Sequence, residues 1–562
     1  MDEQIFTPLD HQFARFMTRQ SGLAGDAADR FALLITRLSA AMAAGHSCLP
    51  LTSQEEPLLR GSLVSQDITT PLVLWHGRLY LQRYYRYEMR LAEQLKALAR
   101  VQCRVPEYQT ELDACFGMRP ETDSEAESET DWQRQAAEMA LTRPLALISG
   151  GPGTGKTRTV ARILGLLLLT LGPDLRIALA APTGKAAMRL RESISASLAA
   201  LPFSASIKEK IPTTACTLHR LLGVRRHSSV FRHHHGNPLP WDVVVVDEAS
   251  MVDLAMMSKL VDALKSGARL VLLGDKDQLA SVESGAVLAD CIQALPDNTV
   301  TLHRSYRFNR EISAFARAVN RNDSTAAWSM LTSDTQEAAT ASLQLLQGPL
   351  PDFIVTRYRR YMEKVVALPD NRQEDDIRPL FQCLNRFRVL CATRHGAGGV
   401  ETLNRQVEQK LAAGNYPCQP GGWYPGRPVI ILNNDYGLNL FNGDIGICLP
   451  DPPSQPAAPG KFKVWFERED GSLKGYQPYR LPECETVFAM TIHKSQGSEF
   501  TEVLVVLPAA DSPLLTRELI YTAVTRARTR VLIASDQAVF TAAVNRTSGR
   551  SSGLHEMLIC LE

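Results

Sequence analysis

The chain has 562 residues, of which 45% are hydrophobic, and 61 lysines and arginines against 60 aspartates and glutamates give a formal net charge of only +1. This length and composition exclude a disordered chain and predict a globular α/β protein with three or four domains. A protein that holds nucleic acid over its whole surface is usually basic, so any such contact here should be a local groove.

The first segment, residues 1–118, carries no nucleotide-binding motif and is predicted to be a helical domain. An apolar stripe recurs there at helical spacing and predicts a helix packed on a small core of its own, formed by Tyr80, Tyr84, Tyr87, Leu91 and Leu95. Residues 119–131 are acidic and lack apolar periodicity, which predicts a flexible linker.

The stretch ISGGPGTGKTRT at 148–159 is the most informative in the chain. It satisfies G-x-x-x-x-G-K-[ST] between a predicted strand at 145–148 and a predicted helix at 160–171, the context of a phosphate-binding loop. Lys156 should reach the β- and γ-phosphates, and Thr157 should ligate Mg²⁺. We therefore expect ATP and Mg²⁺ as cofactors, with nucleotide contacts from Gly150, Gly151, Pro152, Gly153, Thr154, Gly155, Lys156, Thr157 and Arg158.

The next segment, residues 224–240, interrupts the alternation of strands and helices. Three consecutive histidines, 233–235, raise the question of a metal site. Consecutive side chains project in different directions, and no cysteine or carboxylate joins them, so we expect no metal there.

Two predicted strands place polar residues beside the phosphate loop. The run Val243–Val246 ends in Asp247 and Glu248, and carboxylates at the end of a parallel strand face the nucleotide crevice. Asp247 should hold Mg²⁺, and Glu248 should polarise the attacking water. The strand 268–273 leads to GDKDQL, where Gln278 is expected to sense the γ-phosphate.

In the second half of the chain, residues 306–404 and 485–562 are predicted to form a second lobe. It should face a first lobe formed by residues 132–305. Arg307 and Arg526 lie in the second lobe, in basic and aromatic contexts. An arginine from a second lobe stabilises charge on a transferring phosphoryl group and contributes roughly 10³–10⁵ in rate. Between the two pieces, residues 405–484 contain short alternating strands and turns, which predict a small barrel.

The eleven cysteines include no C-x-x-C pair, which indicates a reducing compartment and argues against a zinc or iron–sulfur site. No secretory signal is present, and the apolar run at 163–171 is about half the length of a membrane span. We expect a cytoplasmic protein without a membrane partner.

Taken in order, the motifs resemble those of superfamily 1B helicases, and their wording resembles the RecD family, the alpha subunits of the RecBCD (exodeoxyribonuclease V) complex. The resemblance rests on Gln133 in DWQRQAAEMAL, then GGPGTGKT, APTGKAA, TLHRLLG, DEASM, GDKDQL, SYRF, NGDIG, TIHKSQGSEF and YTAVTRAR. It implies two RecA-like P-loop NTPase lobes and an ATP-dependent DNA helicase.

The resemblance also assigns roles to single residues. It implies that Gln133 reads the adenine edge, and that Arg307 and Arg526 close over the γ-phosphate. It places Thr183, His219, Thr491 and His493 along the path of single-stranded DNA. Short hydroxyls and imidazoles suit this task because they can donate to phosphates without selecting a base.

Domain roles and partners follow from the same resemblance. The N-terminal domain should dock on a RecC-like subunit, a RecB-like subunit should carry the nuclease site, and 405–484 should be an SH3-like 2B domain. Residues 224–240 should form a 1B pin that splits the duplex, with Arg225, Arg226, Phe231 and Arg232 supplying basic and apolar character; an exposed loop is the alternative. The implied activity is 5′→3′ travel on DNA in double-strand break repair, recombination and degradation of linear DNA, including phage DNA. Residue composition alone does not give this polarity.

Three alternatives compete with this interpretation. A transporter or kinase ATPase is disfavoured because the chain lacks an LSGGQ-type signature and carries the HKSQG and TRAR blocks. A regulatory subunit that binds ATP without using it should have lost Lys156, Glu248 or Arg526, and all three are present. A stand-alone RecD-like or relaxase-type helicase shares the same chemistry and differs only in its N-terminal segment.

Overall fold

The computed structural model describes residues 6–59, 63–65, 68–105, 107–117, 128–225, 228, 230–281, 284–303, 310–333, 341–369, 372–435, 437–451, 461–468 and 471–560. The predicted linker 119–131 lies outside them except for its last four residues, which form the start of a helix. Among the described residues, no helix is both long and apolar enough to cross a membrane. All eleven cysteines are free thiols.

The N-terminal part contains more strand than the sequence predicted. Its elements are α1 (Pro8–Ser21), α2 (Asp26–Ala43), β1 (Leu49–Pro50), β2 (Val64–Ser65), β3 (Leu72–Trp75), β4 (Arg78–Leu81), α3 (Gln82–Ala99) and α4 (Gln109–Phe116). The strands form one sheet in the order β1-β4-β3-β2. Strands of two to four residues are too short to show a period in the sequence, so a purely helical prediction missed them.

The predicted stripe is confirmed at Leu91 and Leu95, which are buried, whereas Tyr84 and Tyr87 are only partly buried. Tyr80 lies in β4, and the buried face of α3 is formed by Tyr85, Glu88, Leu91, Ala92 and Leu95. This face joins the core of the first lobe rather than a separate core. Only α1, α2 and the small sheet share a cluster of their own.

The first lobe is an α/β unit around a six-stranded parallel sheet in the order β10-β5-β9-β8-β6-β7. Its apolar strands are buried on both faces because helices cover both sides, as parallel sheets require. The elements are α5 (Ser128–Thr142), β5 (Leu145–Gly150), α6 (Lys156–Leu171), β6 (Ile177–Ala181), α7 (Gly184–Leu198), α8 (Ala205–Lys210), β7 (Ala215–Thr217), α9 (Leu218–Leu222), β8 (Val243–Val246), α10 (Leu254–Asp262), β9 (Arg269–Gly274), α11 (Val287–Ala294) and β10 (Thr299–Leu302).

The second lobe surrounds an antiparallel insertion in the chain. Its first piece contains α12 (Arg310–Asn320), α13 (Ser324–Thr332), β11 (Leu343–Leu345), α14 (Leu350–Val366), α15 (Glu374–Leu384), β12 (Phe387–Cys391) and α16 (Val400–Ala413). The insertion contains β13 (Pro428–Ile431), β14 (Ile445–Asp451), β15 (Lys461–Glu467), β16 (Leu473–Tyr476) and β17 (Cys484–Thr486). The chain then returns through β18 (Ala489–Thr491), β19 (Phe500–Val506), α17 (Arg517–Val524), β20 (Ala527–Ala534), α18 (Gln537–Asn545) and α19 (Leu554–Cys560).

The two sheets of this half differ in strand direction. The second lobe has a parallel sheet in the order β11-β20-β19-β12-β18, and the insertion has an antiparallel sheet in the order β16-β15-β14-β13-β17. The strands expected within 405–484 are therefore present. Helix α16 packs in the core of the second lobe, and β17 completes the insertion's sheet, so the insertion begins and ends later than 405 and 484.

The C-terminal helix does not belong to the second lobe, although the predicted limit of that lobe was 562. Leu554, Met557 and Leu558 of α19 pack into the first lobe's core against α3 and α11. The segment before α19 is fixed by Arg550, whose guanidinium donates to the carbonyls of Ser281 and Gly285. The chain thus crosses from the second lobe back to the first.

Gly165 in α6 tests the packing of the first lobe. A Cβ at this position would lie 2.0 Å from Cε2 of Phe203. We expect Gly165→Ala to lower the free energy of unfolding by about 1–3 kcal/mol, because a close-packed core must shift to admit the methyl group.

Chemical denaturation measures this cost, and Gly549→Ala is the matched control because a Cβ there would meet no atom within 4 Å. Phe203→Leu should restore part of the loss. Equal stability of Gly165→Ala and the wild type would show that the ring of Phe203 does not pack on α6.

Candidate nucleotide and nucleic-acid site

The phosphate-binding loop joins β5 to α6 in the way the sequence predicts. Gly153 and Gly155 adopt φ of 79° and 83°, a left-handed conformation that glycine adopts without steric cost. The Thr154 hydroxyl donates to the carbonyl of Gly151 at 2.8 Å and fixes the turn. The loop therefore delivers its backbone amides to the N-terminus of a 16-residue helix, where anions are stabilised.

Two further glycines are required by close neighbours. A Cβ on Gly150 would lie 2.7 Å from the Thr154 hydroxyl, and one on Gly151 would lie 3.0 Å from the Tyr521 hydroxyl. The Lys156 ammonium donates to the carbonyls of both glycines, with 3.1 Å to Gly151. Thr157 follows in the first turn of α6, and Arg158 is exposed.

Gln133 lies at the edge of this site. It is on α5, and its Oε1 accepts a hydrogen bond of 3.4 Å from Arg162 on α6. Beside it, the rings of Trp132 and His303 meet edge to face at 5.0 Å. A polar amide next to aromatic surface suits a nucleobase, and the motifs assigned no role to the rings of Trp132 and His303.

Asp247 and Glu248 follow β8 at the carboxyl edge of the sheet, where β5 and β9 also end. The Glu248 amide donates to Asp247 Oδ1 at 2.9 Å. Glu248 has a φ of 53°, and a left-handed conformation costs roughly 1 kcal/mol or more for a residue with a side chain. Such strain is concentrated at functional sites because only a well-determined surrounding structure maintains it.

Gln278 and Arg526, predicted from distant motifs, are in direct contact. The Arg526 Nη2 donates to Gln278 Oε1 at 2.8 Å, and the guanidinium also donates to the carbonyls of Thr522 and Ser498. Both side chains are buried. The hydrogen bond between Gln278 and Arg526 therefore joins the two lobes.

Sequence reasoning gave no role to two residues of the same network. Asp275 Oδ2 accepts from Gln278 Nε2 at 3.1 Å and from the Tyr521 hydroxyl at 3.0 Å. Burial raises the pKa of the Asp275 carboxyl above its ordinary value. Both residues lie inside the quoted motifs GDKDQL and YTAVTRAR, so motif membership was the available signal.

A second polar contact between the lobes lies beside Glu248. Arg189 on α7 approaches Glu499 at 3.7 Å, and Glu499 also pairs with Arg528 at 3.0 Å. Burial lowers the pKa of Arg189 to about 10. Arg189 also interacts electrostatically with Glu248 and Arg526, so its charge contributes to the field at the carboxyl edge.

Of the four residues assigned to a DNA path, two make local hydrogen bonds. Thr183 caps α7 by accepting from the amide of Ala186 at 3.2 Å, and Thr491 accepts from the amide of Lys494 at 3.3 Å. His219 lies edge to face with Phe231 at 5.8 Å. His493 is exposed, and the surrounding protein and the Arg550 charge lower its pKa.

A cleft of about 460 Å³ lies between the first lobe, α15 and the insertion. Its walls carry both charged and aromatic groups, including Lys185, Arg220, Phe441, Arg468 and Lys474. Burial lowers the pKa of Lys185 to about 7. Cations beside an aromatic ring are the groups that bind a single nucleic-acid strand, and neither Lys185 nor the insertion residues had been assigned to a site.

The candidate pin has a fixed base. Arg232 donates its amide to the carbonyl of Gly223 at 2.8 Å, and His233 donates to Leu222 at 2.9 Å. Phe231, expected on the wedge, instead packs on the first lobe below the ammonium of Lys259. Val224 and Val230 are the exposed apolar residues nearer the tip, and Arg226 lies outside the described residues.

Two other predictions concern Arg307 and the three histidines at 233–235. Arg307 lies within 304–309 and is outside the described part of the chain. Within the described part, no group of three His, Cys, Asp or Glu side chains is placed to hold a metal, and His233 bonds to backbone carbonyls.

Comparison with family models divides the chain into three matches. Residues 2–62 match the N-terminal domain of RecBCD enzyme subunit RecD, residues 133–284 match an AAA domain, and residues 486–534 match the UvrD-like helicase C-terminal domain. The first match covers α1, α2 and the start of the small sheet. The second covers the motifs from Gln133 to GDKDQL, and the third covers TIHKSQGSEF and YTAVTRAR.

Relatives extend the similarity over nearly the whole chain. The RecBCD enzyme subunit RecD of Mycolicibacterium smegmatis is 41% identical over 87% of this chain and 83% of its own length, and that of Haemophilus influenzae is 34% identical over 91% and 85%. The ATP-dependent RecD2 DNA helicase of Deinococcus radiodurans is 31% identical over 86% of this chain and 59% of its own. A crystal structure of Bacteroides Pif1 bound to ssDNA is a loose match, with a TM-score of 0.40 and 15% identity over 73% of this chain and 93% of that one. From its relatives, the chain belongs to the RecD family.

Proposed function

We propose that the chain is the ATP-dependent motor subunit of a RecBCD-type helicase, moving 5′→3′ on single-stranded DNA. Membership of the RecD family makes it a DNA helicase subunit, and such an enzyme acts in DNA repair and recombination. The observation that carries the motor function is the contact between Gln278 and Arg526, because it joins a phosphate loop in one lobe to an arginine of the other. Degradation of linear DNA, including phage DNA, and a cytoplasmic location belong to the same proposal.

The loop residues fit a nucleoside triphosphate. Lys156, whose ammonium lies beside the loop carbonyls, would bind the β- and γ-phosphates, and Gln133 would contact the base. Thr157 and Asp247 would hold Mg²⁺, which when bound neutralises charge on the phosphates. The other nucleotide contacts would come from Pro152, Gly153, Thr154, Gly155 and Arg158.

Hydrolysis would use the strained turn at the carboxyl edge. Glu248 would orient and polarise the attacking water, and Arg526 would stabilise charge on the transferring phosphoryl group, with Arg307 as its counterpart. Gln278 would report the γ-phosphate to Arg526, since the two side chains already share a hydrogen bond. Alternation between closed and open lobes then produces stepping along a strand.

The DNA strand would cross both lobes on one surface. His219 and His493 are the members of the predicted set whose side chains make no backbone hydrogen bond among those described, whereas Thr183 and Thr491 would contact phosphate at helix starts. The insertion, proposed as an SH3-like 2B domain, faces the same side through the cleft with Lys185 and Arg468.

The N-terminal domain supplies an exposed apolar surface for a partner subunit. Leu9 and Phe16 of α1 are 74% and 58% exposed, and Leu33 of α2 is 55% exposed. Residues 2–62 match the RecD N-terminal domain. We propose that this face docks on a RecC-like subunit, with a RecB-like subunit completing the complex and carrying the nuclease.

A stand-alone helicase remains the second candidate, because RecD2 of Deinococcus radiodurans is 31% identical. This chain covers only 59% of that protein, whereas it covers 83% of the RecD of Mycolicibacterium smegmatis. The exposed face of α1 and α2 favours the subunit, and an active monomer that binds no RecC-like partner would favour the stand-alone enzyme.

Lys156→Gln tests the motor. The wild type should hydrolyse ATP faster with single-stranded DNA than without it, and the variant should lose this activity because the amide cannot neutralise the β- and γ-phosphates. Strand displacement on duplexes with a 5′ or a 3′ tail then gives direction. A rate of ATP hydrolysis that is the same with and without DNA would support a regulatory subunit. Unwinding of the duplex with the 3′ tail, and not of the one with the 5′ tail, would contradict the proposed 5′→3′ direction.

Arg526→Lys tests the finger. Lysine cannot make the three guanidinium contacts, so we expect hydrolysis to fall roughly 10³-fold while nucleotide binding changes little. Single-turnover hydrolysis and fluorescent-nucleotide binding measure the two effects. Arg528→Lys, two residues along and paired with Glu499 at the surface, is the matched control, and equal rates for both variants would exclude the role.

Replacement of residues 224–230 with a Gly/Ser stretch tests the pin. The base formed by Gly223 and Arg232 and the packing of Phe231 should survive, so DNA-stimulated hydrolysis should persist. We expect strand separation to be lost because the flexible stretch cannot hold a wedge. Unchanged unwinding would show that the segment is a surface loop.

A further inference from the structure

Tyr521 of the second lobe lies against the phosphate-binding loop. It lies on α17 and is 6% exposed. Its hydroxyl donates to Asp275 Oδ2 at 3.0 Å. The hydroxyl oxygen of Tyr521 also lies 3.0 Å from the position that a Cβ on Gly151 would occupy. One hydroxyl of the second lobe therefore lies against both the loop and the carboxylate that follows β9.

Asp275 links Tyr521 to Gln278, the proposed γ-phosphate sensor. Its Oδ2 accepts from Tyr521 and from Gln278 Nε2, and its Oδ1 accepts from the amide of Asp277 at 3.1 Å. Asp275 also interacts electrostatically with Lys156. Because Asp275 is 2% exposed, no bulk water competes for these oxygens, and a lost donor would leave a buried acceptor under-satisfied.

The same network fixes which way Gln278 points. Arg526 can only donate, so Gln278 must present Oε1 to it and Nε2 to Asp275. Tyr521 and Arg526 are held together by the turn at the end of α17, where the amide of Thr525 donates to the carbonyl of Tyr521 at 3.0 Å. Tyr521 and Arg526, two of the second-lobe side chains that contact the first lobe, therefore come from one short segment.

We propose that Tyr521 is a positioning residue that aligns Gln278 and Arg526 according to the position of the phosphate-binding loop. It touches no reacting atom and acts through Asp275. This inference rests on the proposed ATP hydrolysis. When Tyr521 lies against Gly151, its hydroxyl holds Asp275 Oδ2 in place for Gln278 Nε2. Loss of the hydroxyl lets the Asp275 carboxylate rotate and shifts the Gln278 amide that Arg526 contacts.

Tyr521→Phe in the full-length chain tests this inference. We expect kcat for DNA-stimulated ATP hydrolysis to fall roughly tenfold, the effect of one lost hydrogen bond to a buried charged group, while KM for ATP stays within about threefold. Tyr358→Phe is the matched control, because Tyr358 is a buried tyrosine of the same lobe whose hydroxyl donates to Phe488 O at 2.7 Å. Thermal unfolding should give similar Tm values for the two variants.

Each result separates this inference from the proposed function. A wild type without DNA-stimulated hydrolysis would remove the motor itself. A DNA-stimulated wild type with equal kcat in Tyr521→Phe and Tyr358→Phe would overturn the role of Tyr521 alone, as would a rise in KM without a change in kcat.

A second pair of variants tests the contact directly. Gly151 does not have a positive φ, so Gly151→Ala adds a methyl group without backbone strain, and that methyl meets the Tyr521 hydroxyl. We expect Gly151→Ala to reduce kcat, and Tyr521→Phe to recover part of the loss in the double variant because it removes the obstructing oxygen. Additive losses would show that Tyr521 and Gly151 do not act on each other.

Discussion

The buried contact between the lobes is the interaction on which the rest of the site depends. A guanidinium, a carboxamide, a carboxylate and a phenol meet there without bulk water, and their hydrogen bonds cross from one lobe to the other. Such a network is costly if it is half formed, so the relative position of the lobes has few acceptable states. In proteins, interfaces with two alternative arrangements convert a small change at a bound phosphate into movement of a domain.

The first lobe is stabilised from outside its own sheet. The Glu88 carboxylate of α3 is fully buried, where it accepts from Ser47, Tyr80, Ser552 and the amide of Gly553. Four donors compensate the desolvation of the carboxyl, although burial still raises its pKa. This cluster joins α3 and the strand β4 to the C-terminal segment, and α3 and α19 pack together into the core of the first lobe.

Local features were predictable from the sequence, and features made by distant contacts were not. The phosphate loop, the strand before Asp247 and the strands of the insertion depend on neighbouring residues, and their spacing identifies them. The buried face of α3 was predicted only in part because α10 and α19, which cover it, lie far away in the chain. Tyr521 and Asp275 are 246 residues apart, and nothing in either motif shows that they meet. The contact of Phe231 with Lys259 and the first lobe is likewise made by residues distant in the chain, and the loop sequence does not show it.

The return of α19 to the first lobe has a mechanical consequence. The chain passes between the lobes once after β10 and again after α18, so two covalent connections join the same two bodies. Two bodies joined by two connections rotate most readily about the line through both connections. Their twisting and sliding relative to each other are restricted. The C-terminal crossing therefore restricts the relative movement of the two lobes more than a single connection would.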